Sequence, residues 1–448
     1  MKKLIFAIFL IFIIGNATAQ SVVLDAYIKA GLESNSSLKQ QDLELQKALK
    51  AIDLAKSNLY PKIAFNPNYT LAAGGRRLEF PIGDLLNPVY STLNALTKTN
   101  NFPQVENVSE LLAPHNFHDT RISFQMPVYN ADIRNNIALQ KQILTTEQSK
   151  KKFLMFELKS NIEAAYYQFL QANEALGIFE KSILLRKEFV DLNEKLVKNQ
   201  VALKDAVLSA QYELSKLEQQ YLEAQKNREL ARSYFNFLLN KDLNTEILID
   251  STIINALPVV GTIDFYQNWA QSNRPEFEQI NSGKLVNLAV LHLQQKNEKL
   301  PQVFLGGNTG FQGYGYKFNN QAYLIAQIGL NWDLFHGYEK KHKIAQTKIE
   351  GNILDEKQKQ VRQMIELQVK QKYLETQTAQ SNLKPVQEAI QKTEKILELT
   401  ESRYKNGNAL VIEVNTAQNE VLIARLTASI ARYALWTKYA DLKKASGI

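Results

Sequence analysis

A phrase that occurs twice constrains this chain more than its composition does. Arg403 to Val421 reads RYKNGNALVIEVNTAQNEV, and Leu196 to Leu214 reads LVKNQVALKDAVLSAQYEL. At one offset of 207 residues, Lys198, Asn199, Ala202, Ala210, Gln211 and Glu213 meet Lys405, Asn406, Ala409, Ala417, Gln418 and Glu420. Repetition at a fixed offset means that each half builds the same supersecondary unit. Two further echoes extend it. NLYPKIAFNPNYTL (Asn58 to Leu71) returns as EKLPQVFLGGNTGF (Glu298 to Phe311), with Pro61 and Pro301 240 residues apart. ISFQMPVYNADIRNNIALQK, starting at Ile122, returns from Ile328 as IGLNWDLFHGYEKKHKIAQTK, with Ile137-Ala138 on Ile344-Ala345, again 207 apart. The change of offset, 33 residues, requires an insertion in the first half, which residues 73–118 supply.

Each half therefore reads helix, strand, loop, strand, long helix, break, helix. First helices are expected over about 21–57 and 262–298. Alternation predicts strands at about 61–72, 120–129 and 321–335: Ile63, Phe65, Tyr69 and Leu71 on one face, then Ile122, Phe124, Met126 and Val128, then Leu324, Ile328, Leu330, Trp332 and Leu334. The Gly-rich run at about 301–314 alternates poorly and is the weakest strand reading. Helices over about 131–198 and 338–405 would each be ~100 Å long at 1.5 Å per residue. The returning helices carry uninterrupted 4,3 steps: Leu410, Val414, Ala417, Val421, Ala424, Ala428, Ala431 and Leu435, matched by Leu203, Val207, Ala210, Leu214, Leu217, Tyr221 and Ala224. That is a coiled-coil seam whose alanines permit close approach. A second stripe, Ile412, Leu426, Ile430 and Tyr433, predicts a second neighbour. Gly177 and Pro385, near-equivalent irregularities, are hinge candidates. Residues 20–240 and 262–448 are the two repeats, joined by a linker at 241–261.

Lys2 and Lys3, the apolar run Leu4 to Ile14 and Ala17-Thr18-Ala19 compose a secretory signal over residues 1–19, too short to span a bilayer. Cysteine is absent, which excludes disulfides, thiolate metal sites and lipidation of an N-terminal Cys. The net charge of +8, or +6 without Lys2 and Lys3, comes from Lys and Glu interspersed along helices. Such a pattern describes solvated helix faces, not a nucleic-acid surface.

Short apolar/polar alternating strands fit the wall of a membrane β-barrel. Four strands cannot close, and an open edge in lipid leaves backbone groups unpaired. A barrel therefore demands several copies of the chain.

In its two-fold repeat, its YPKI and LPQV strand entries, its MPVYNADIRNNI and WDLFHGYEKKHKI strand exits and YKNGNAL...TAQNE, the mature chain resembles the TolC family of outer-membrane efflux proteins from end to end. The resemblance implies a mainly α fold with a small β-barrel portion, in which long antiparallel coiled-coil helices and four strands per chain assemble into a trimeric α-barrel/β-barrel channel. It implies a bacterial outer-membrane location extending into the periplasm, contact with outer-membrane lipid, and a passive exit duct of a tripartite efflux or type I secretion system. It implies two further partners, a periplasmic adaptor (membrane fusion) protein docking at the helical tips and an inner-membrane transporter. The docking positions are Gly407, Asn408, Ala409 and Leu410 in the second half, and Gln200, Val201, Ala202 and Leu203 in the first, which lacks the family's Gly. Glu413 matches a pore acid; the next acidic position of the family is Thr416 here. Tyr404 and Asp205 match closed-state contacts. The loop 73–118 is expected to be external.

Enzyme signatures are poor and no cofactor is implied. His115, His118, His292, His336 and His342 are scattered, and the pair His115/His118, spaced i,i+3, lies in the expected external loop. GGNTGFQGYG (Gly306 to Gly315) enters no helix, so it is no phosphate cradle. The bland alternative for Glu413 is an exposed coiled-coil charge. For the whole chain the alternative is a secreted coiled-coil structural or interaction protein without a barrel. Gly407 against Gln200 predicts a tighter bend at the second tip. Drugs, dyes, metal ions and secreted proteins would leave the same scaffold, and the lack of Met or His clusters argues against a dedicated metal exporter.

Overall fold

The computed structural model describes residues 21–113, 115–250, 253, 256–297, 300–335 and 337–448. The signal segment 1–19, Gln20, the Glu298-Lys299 start of one echo and His336 lie outside the described residues. Contacts divide the chain into two units, one holding residues up to 49, 142–288 and 349–448, the other 50–141 and 289–348.

The helical unit draws on α1 (Val22–Ser34), α2 (Ser36–Ser57), α4 (Ala131–Lys198), α5 (Lys204–Leu238), α6 (Ile263–Asn273), α7 (Pro275–Asn297), α8 (Glu339–Lys405) and α9 (Val411–Ser446). The long helices span 68 and 67 residues, uninterrupted at Gly177 and Pro385, so neither residue forms a break. Both expected first helices are instead split. Asn35 ends α1, donating its Nδ2 to Leu238 O at 2.9 Å while its Oδ1 takes the Ser37 N–H. Pro275 opens α7 after Arg274, as Pro does at a first helical position. Buried Arg274 donates to the carbonyls of Lys444 and Ala445, closing the end of α9. The main core joins Leu24 and Ile28 of α1, Ile162, Tyr166 and Phe169 of α4, Phe235 of α5 and Tyr433 and Trp436 of α9. Burying such side chains contributes about 1.5–3 kcal/mol each. The linker is strapped to this core: the Tyr166 hydroxyl donates to Leu248 O and accepts the Asp250 N–H, and burial pushes its pKa up to about 12. A second core gathers Tyr266, Ile365, Val369 and Leu442.

The other unit holds a four-stranded antiparallel sheet of order β1-β4-β5-β6: β1 Lys62–Thr70, β4 Phe117–Tyr129, β5 Gln302–Tyr314 and β6 Ala322–Asn331. The poorly alternating Gly-rich run is thus a central strand, pairing on both sides. Its glycines have a packing reason. A Cβ at Gly310 would lie 2.1 Å from Thr120 O, and one at Gly329 of β6 would lie 2.3 Å from the Phe304 ring. In register, Phe65, Ile122, Thr309 and Leu324 lie across one face, with Ile63, Met126, Leu305 and Ile328 nearby. Asn66, Arg121, Ser123, Asn308 and Gln327 take the other. The strand expected to reach 335 stops at Asn331, with Trp332 and Leu334 beyond it.

Residues 73–118 are not a plain loop. They contain β2 (Arg77–Phe80) paired with β3 (Val108–Leu111) and a helix, α3 (Ile82–Thr97), between them. Three asparagines order the segment: Asn87 exchanges hydrogen bonds with Val105, Asn94 with Phe102, and Asn107 accepts from Asp84 N–H. His118 belongs to β4, buried with its Nε2 2.6 Å from Gln321 Oε1 and its ring against Tyr316. Among the described residues, no helix is long and apolar enough to cross a membrane and no cluster of His, Asp and Glu could hold a metal.

Candidate functional site

Each long helix of the repeat ends in the same turn. Gln200 N–H donates to Val197 O at 3.0 Å and Val201 N–H to Leu196 O at 2.9 Å; 207 residues on, Gly407 N–H donates to Tyr404 O at 3.0 Å and Asn408 N–H to Arg403 O at 2.8 Å. This is a Schellman closure, which needs a left-handed residue after the cap. Gly407 provides it at φ 73°, and Gln200 provides it at φ 62°. The expectation of a tighter second bend is therefore corrected: the backbones coincide because the closing hydrogen bonds, not the residue type, set the turn. Leu203 and Leu410 follow as N-caps with nearly equal dihedrals, φ −89°, ψ 160° and φ −88°, ψ 154°. Both, like Val201, are exposed apolar side chains at the tips, while Ala202 and Ala409 are half-buried.

The seams then begin. Ala210, Leu217 and Ala224 of α5 and Val414, Ala417, Val421, Ala424 and Leu435 of α9 are buried at the expected spacing. Of the second stripe on α9, Tyr433 is buried, whereas Ile412 and Ile430 are exposed within one chain.

Side chains distinguish the tips. Glu413 reaches back to the Leu410 N–H at 2.9 Å, half of a capping box that Leu410, lacking a side-chain acceptor, cannot complete. Its other oxygen takes Arg403 Nη2 at 3.3 Å, and Arg403 also donates to Asn408 O. In the first half these places hold Ala206 and Leu196, so nothing comparable forms. Asp205 occupies the first turn of α5, where the helix dipole favours an anion.

The two hairpins of one chain meet just behind these turns. Phe189 of α4, Ala210 of α5 and Val414 of α9 form a small buried cluster, with Tyr404 of α8 packed against it. Tyr404 and Asp205 come close enough to interact: burial first, and the Asp205 charge second, raise the tyrosine pKa above its ordinary value. Its hydroxyl, however, donates to Asn193 Oδ1 of α4, not to Asp205. Asn193 is fully buried and donates its amide to Phe189 O at 2.7 Å.

A polar network lies further along the same junction. Arg186 of α4, only 3% exposed, donates Nη1 to Asn415 Oδ1 at 2.8 Å and Nη2 to Asn419 Oδ1 at 2.7 Å and Asn415 O at 3.2 Å. Asn415 in turn donates to Ser209 Oγ at 3.1 Å, and Asn419 to Glu213 Oε2 at 3.4 Å. Burial lowers the guanidinium pKa and the Glu213 charge opposes that shift. Sequence reasoning missed Asn193 and Arg186 because their partners lie over 200 residues away; the i,i+4 pair Asn415/Asn419 on the second, otherwise apolar stripe of α9 was the available signal. Beyond the network, a 630 Å³ cavity opens between α4, α5 and α9, lined by Phe179, Glu213, Leu217, Asn419, Leu426 and Ile430 among others.

Comparison with known proteins places this geometry. Residues 293–448 match the family described as outer membrane efflux protein. No curated protein matches the chain. Among solved structures the chain is similar to the CmeC outer membrane channel of Campylobacter jejuni, at 15% identity over 95% of this chain and 86% of that one, TM-score 0.70. It is similar to the outer membrane protein VceC of Vibrio cholerae, at 14% identity over 96% and 97%, TM-score 0.69. The open-state MtrE outer membrane channel of Neisseria gonorrhoeae aligns at 16% identity over 95% and 89%, TM-score 0.70. At these identities the likeness shows a shared fold.

Proposed function

From the match of residues 293–448 to the outer membrane efflux protein family and the fold shared with outer-membrane channels, we propose that the chain is an outer-membrane exit duct, extending into the periplasm, for substrates delivered by an inner-membrane transporter. The chain is no enzyme; it supplies a passage, and the driving energy enters at the transporter. The observation that carries this reading is the four-stranded sheet. Its end strands β1 and β6 each pair on one side only within the chain, and its apolar face is bare, with Ile63 70%, Leu324 79% and Ile328 73% exposed. Unpaired strand edges are excluded from lipid, and bacterial barrels have at least 8 strands. A homotrimer supplies twelve, closing β6 of one copy on β1 of the next. The apolar face then meets outer-membrane lipid and the Asn66, Arg121, Ser123 and Gln327 face lines the lumen.

The hairpins supply the periplasmic end. In this reading Gln200, Val201, Ala202 and Leu203 and their counterparts Gly407, Asn408, Ala409 and Leu410 dock a periplasmic adaptor (membrane fusion) protein. Leu203 and Leu410 are the apolar anchors. Glu413, Tyr404 and Asp205 belong to the gate: Glu413 caps the returning helix and carries its charge at the tip, and Tyr404 holds the second hairpin on the first. A secreted coiled coil without a barrel would gain nothing from a sheet with one bare apolar face. The test is membrane fractionation with heat-modifiable gel migration, followed by planar-bilayer recording of the purified protein. Recovery in the outer membrane as a heat-modifiable oligomer that conducts is expected; recovery as a soluble monomer would overturn the reading.

A further inference from the structure

We propose that the corner between β6 and α8 is a binding site for a phospholipid with an anionic headgroup, taken from the periplasmic leaflet of the outer membrane. This rests on the exit-duct reading, in which the end of the sheet where β1 and β5 begin and β4 and β6 end faces the periplasm. The sequence alternation of Leu324, Ile328 and Leu330 runs on through Trp332 and Leu334 after β6 has ended at Asn331. Trp332, Leu334, Phe335 and Tyr338 are between 51% and 80% exposed, so the chain itself leaves them bare. The backbone then turns through Gly337 and Tyr338, both left-handed at φ 55° and 63°. A tyrosine adopts that conformation rarely. Here its ring stands edge-on to Phe335, with centroids 5.5 Å apart, and beneath Lys341 Nζ at 5.8 Å.

Two cations complete the corner. Of its three lysines, Lys343 pairs with Glu339, whereas Lys340 and Lys341 meet no carboxylate among the described residues. Its only other acid is Asp333, so the corner is cationic overall. Helix stability does not explain the lysines, because the dipole of α8 disfavours cations in its first turn. Exposed rings beside lysines fit the headgroup level of a bilayer: the rings sit between acyl chains and water, and the ammonium groups reach phosphate. A second protein would have to bury both lysines against the rings, and the cores of protein interfaces are depleted of Lys. The ordinary aromatic girdle of a barrel does not account for the corner either, since a girdle serves every strand end alike. At the repeat-related positions of the β4–α4 exit stand Gln125, Pro127, Val128 and Ala131 for the four apolar residues, and Ile133 and Arg134 for the two lysines. That exit keeps one cation over one ring, Arg134 5.7 Å from the half-buried Tyr129. Each chain thus carries one such corner, on an edge strand that a neighbouring copy closes.

Trp332 reports on the site directly. Full-length protein is reconstituted into phosphatidylethanolamine vesicles that contain the same minor fraction of brominated phosphatidylglycerol or of brominated phosphatidylethanolamine, whose bromines quench nearby indoles. The signal of Trp332 is the part lost in Trp332→Phe, which sets aside Trp269 and Trp436. The expected result is quenching of Trp332 that is roughly threefold or more stronger with the phosphatidylglycerol. Lys340→Gln with Lys341→Gln brings the two lipids level, Lys340→Arg with Lys341→Arg keeps the preference, and Arg134→Gln at the other exit leaves it unchanged. Equal quenching in wild type would leave an unselective girdle and overturn the site. No quenching by either lipid, in protein that inserts and conducts, would mean that a neighbouring copy covers the corner, and would overturn it as well. If the glutamine pair does not assemble, the wild-type comparison of the two lipids decides alone. Recovery of wild type as a soluble monomer that takes up no vesicle lipid would overturn the exit duct and this site together.

Discussion

The two tips share a backbone and differ in almost every side chain that matters. Their turns close through the same pair of hydrogen bonds and the same left-handed residue, and their returning helices start from leucines with matched dihedrals. Against that frame, Leu196, Val197, Ala206, Leu208 and Tyr212 of the first hairpin face Arg403, Tyr404, Glu413, Asn415 and Asn419 of the second. The difference teaches that a duplicated hairpin needs only its closing bonds and small seam residues to keep its shape. Everything else was free to diverge. Here it diverged into polar groups on the second hairpin that are used against the first, Tyr404 on Asn193 and Asn415/Asn419 on Arg186.

The largest expected effect breaks the comparison at its apolar point. Phe189 is buried in the junction, while its counterpart Ile396 is 55% exposed within one chain. Phe189→Ala should lower the local opening free energy of amides 199–203 and 406–410 by about 3–5 kcal/mol, read by hydrogen exchange on the assembled protein. Ile396→Ala should stay within about 0.5 kcal/mol. An equal loss at Ile396 would mean that its face is covered by another copy, which turns the same pair of variants into a probe of assembly.

Exchanging the turn residues comes next. Gln200 holds a left-handed conformation that costs a side-chain-bearing residue about 1–2 kcal/mol, so Gln200→Gly should stabilise the first tip by roughly 1 kcal/mol and Gly407→Gln should destabilise the second about equally. Thermal unfolding of the double exchange should then match wild type. A net change would show that the tips differ in backbone after all.

That residue also marks where the sequence stopped being legible. The long helices, the seams and three of the strands follow from periodicity, because burial on one face imposes it. Gln200 misled because a Gly preference was read as a requirement, whereas the pair of backbone hydrogen bonds that closes the turn holds the left-handed residue in place. Asn35 and Arg274 break the first helices through contacts with Leu238 and with the end of α9, partners that no local pattern reveals. The helix α3 inside residues 73–118 was signalled by Ile82, Leu85, Val89 and Leu96 at helical spacing, and was masked by the Gly, Pro and Asn around it. Of the candidate gate, Tyr404 and Asp205 came from resemblance; the hydrogen-bond partner of Tyr404, Asn193, is a buried polar group whose meaning exists only once both hairpins are folded.

A smaller effect concerns the charge that only the second tip carries. Glu413→Ala removes the bond to the Leu410 N–H and the pair with Arg403, both exposed, and should cost about 0.5–1 kcal/mol at the second tip. Ala206→Glu should return none of it at the first, since Leu196 stands where a cation would be needed. Raising the salt concentration should erase the part due to Arg403 and leave the capping part, because exposed pairs are screened. A loss unaffected by salt would assign the whole effect to the cap.

The smallest expected effect is a slope with pH, and it too separates the tips. Burial, and then Asp205, raise the Tyr404 pKa above its ordinary value of about 10. The neutral phenol is thus favoured in the folded chain. Its contribution is fully present below the unfolded pKa and is lost as pH rises toward and through the folded one. The melting temperature of wild type should therefore fall more steeply than that of Tyr404→Phe between about pH 9 and 11. Other buried tyrosines, such as Tyr166, decline in parallel in both proteins and cancel in the difference. Asp205→Asn should shrink that difference without abolishing it, since burial is the larger cause. The first tip has Val197 in the matching place and no group to titrate. Alkaline loosening, followed by protease cleavage at each tip, should accordingly begin beside Tyr404 and Lys405 and leave Lys198 intact; simultaneous cleavage at both would mean that the tyrosine holds the whole junction and not the second tip alone.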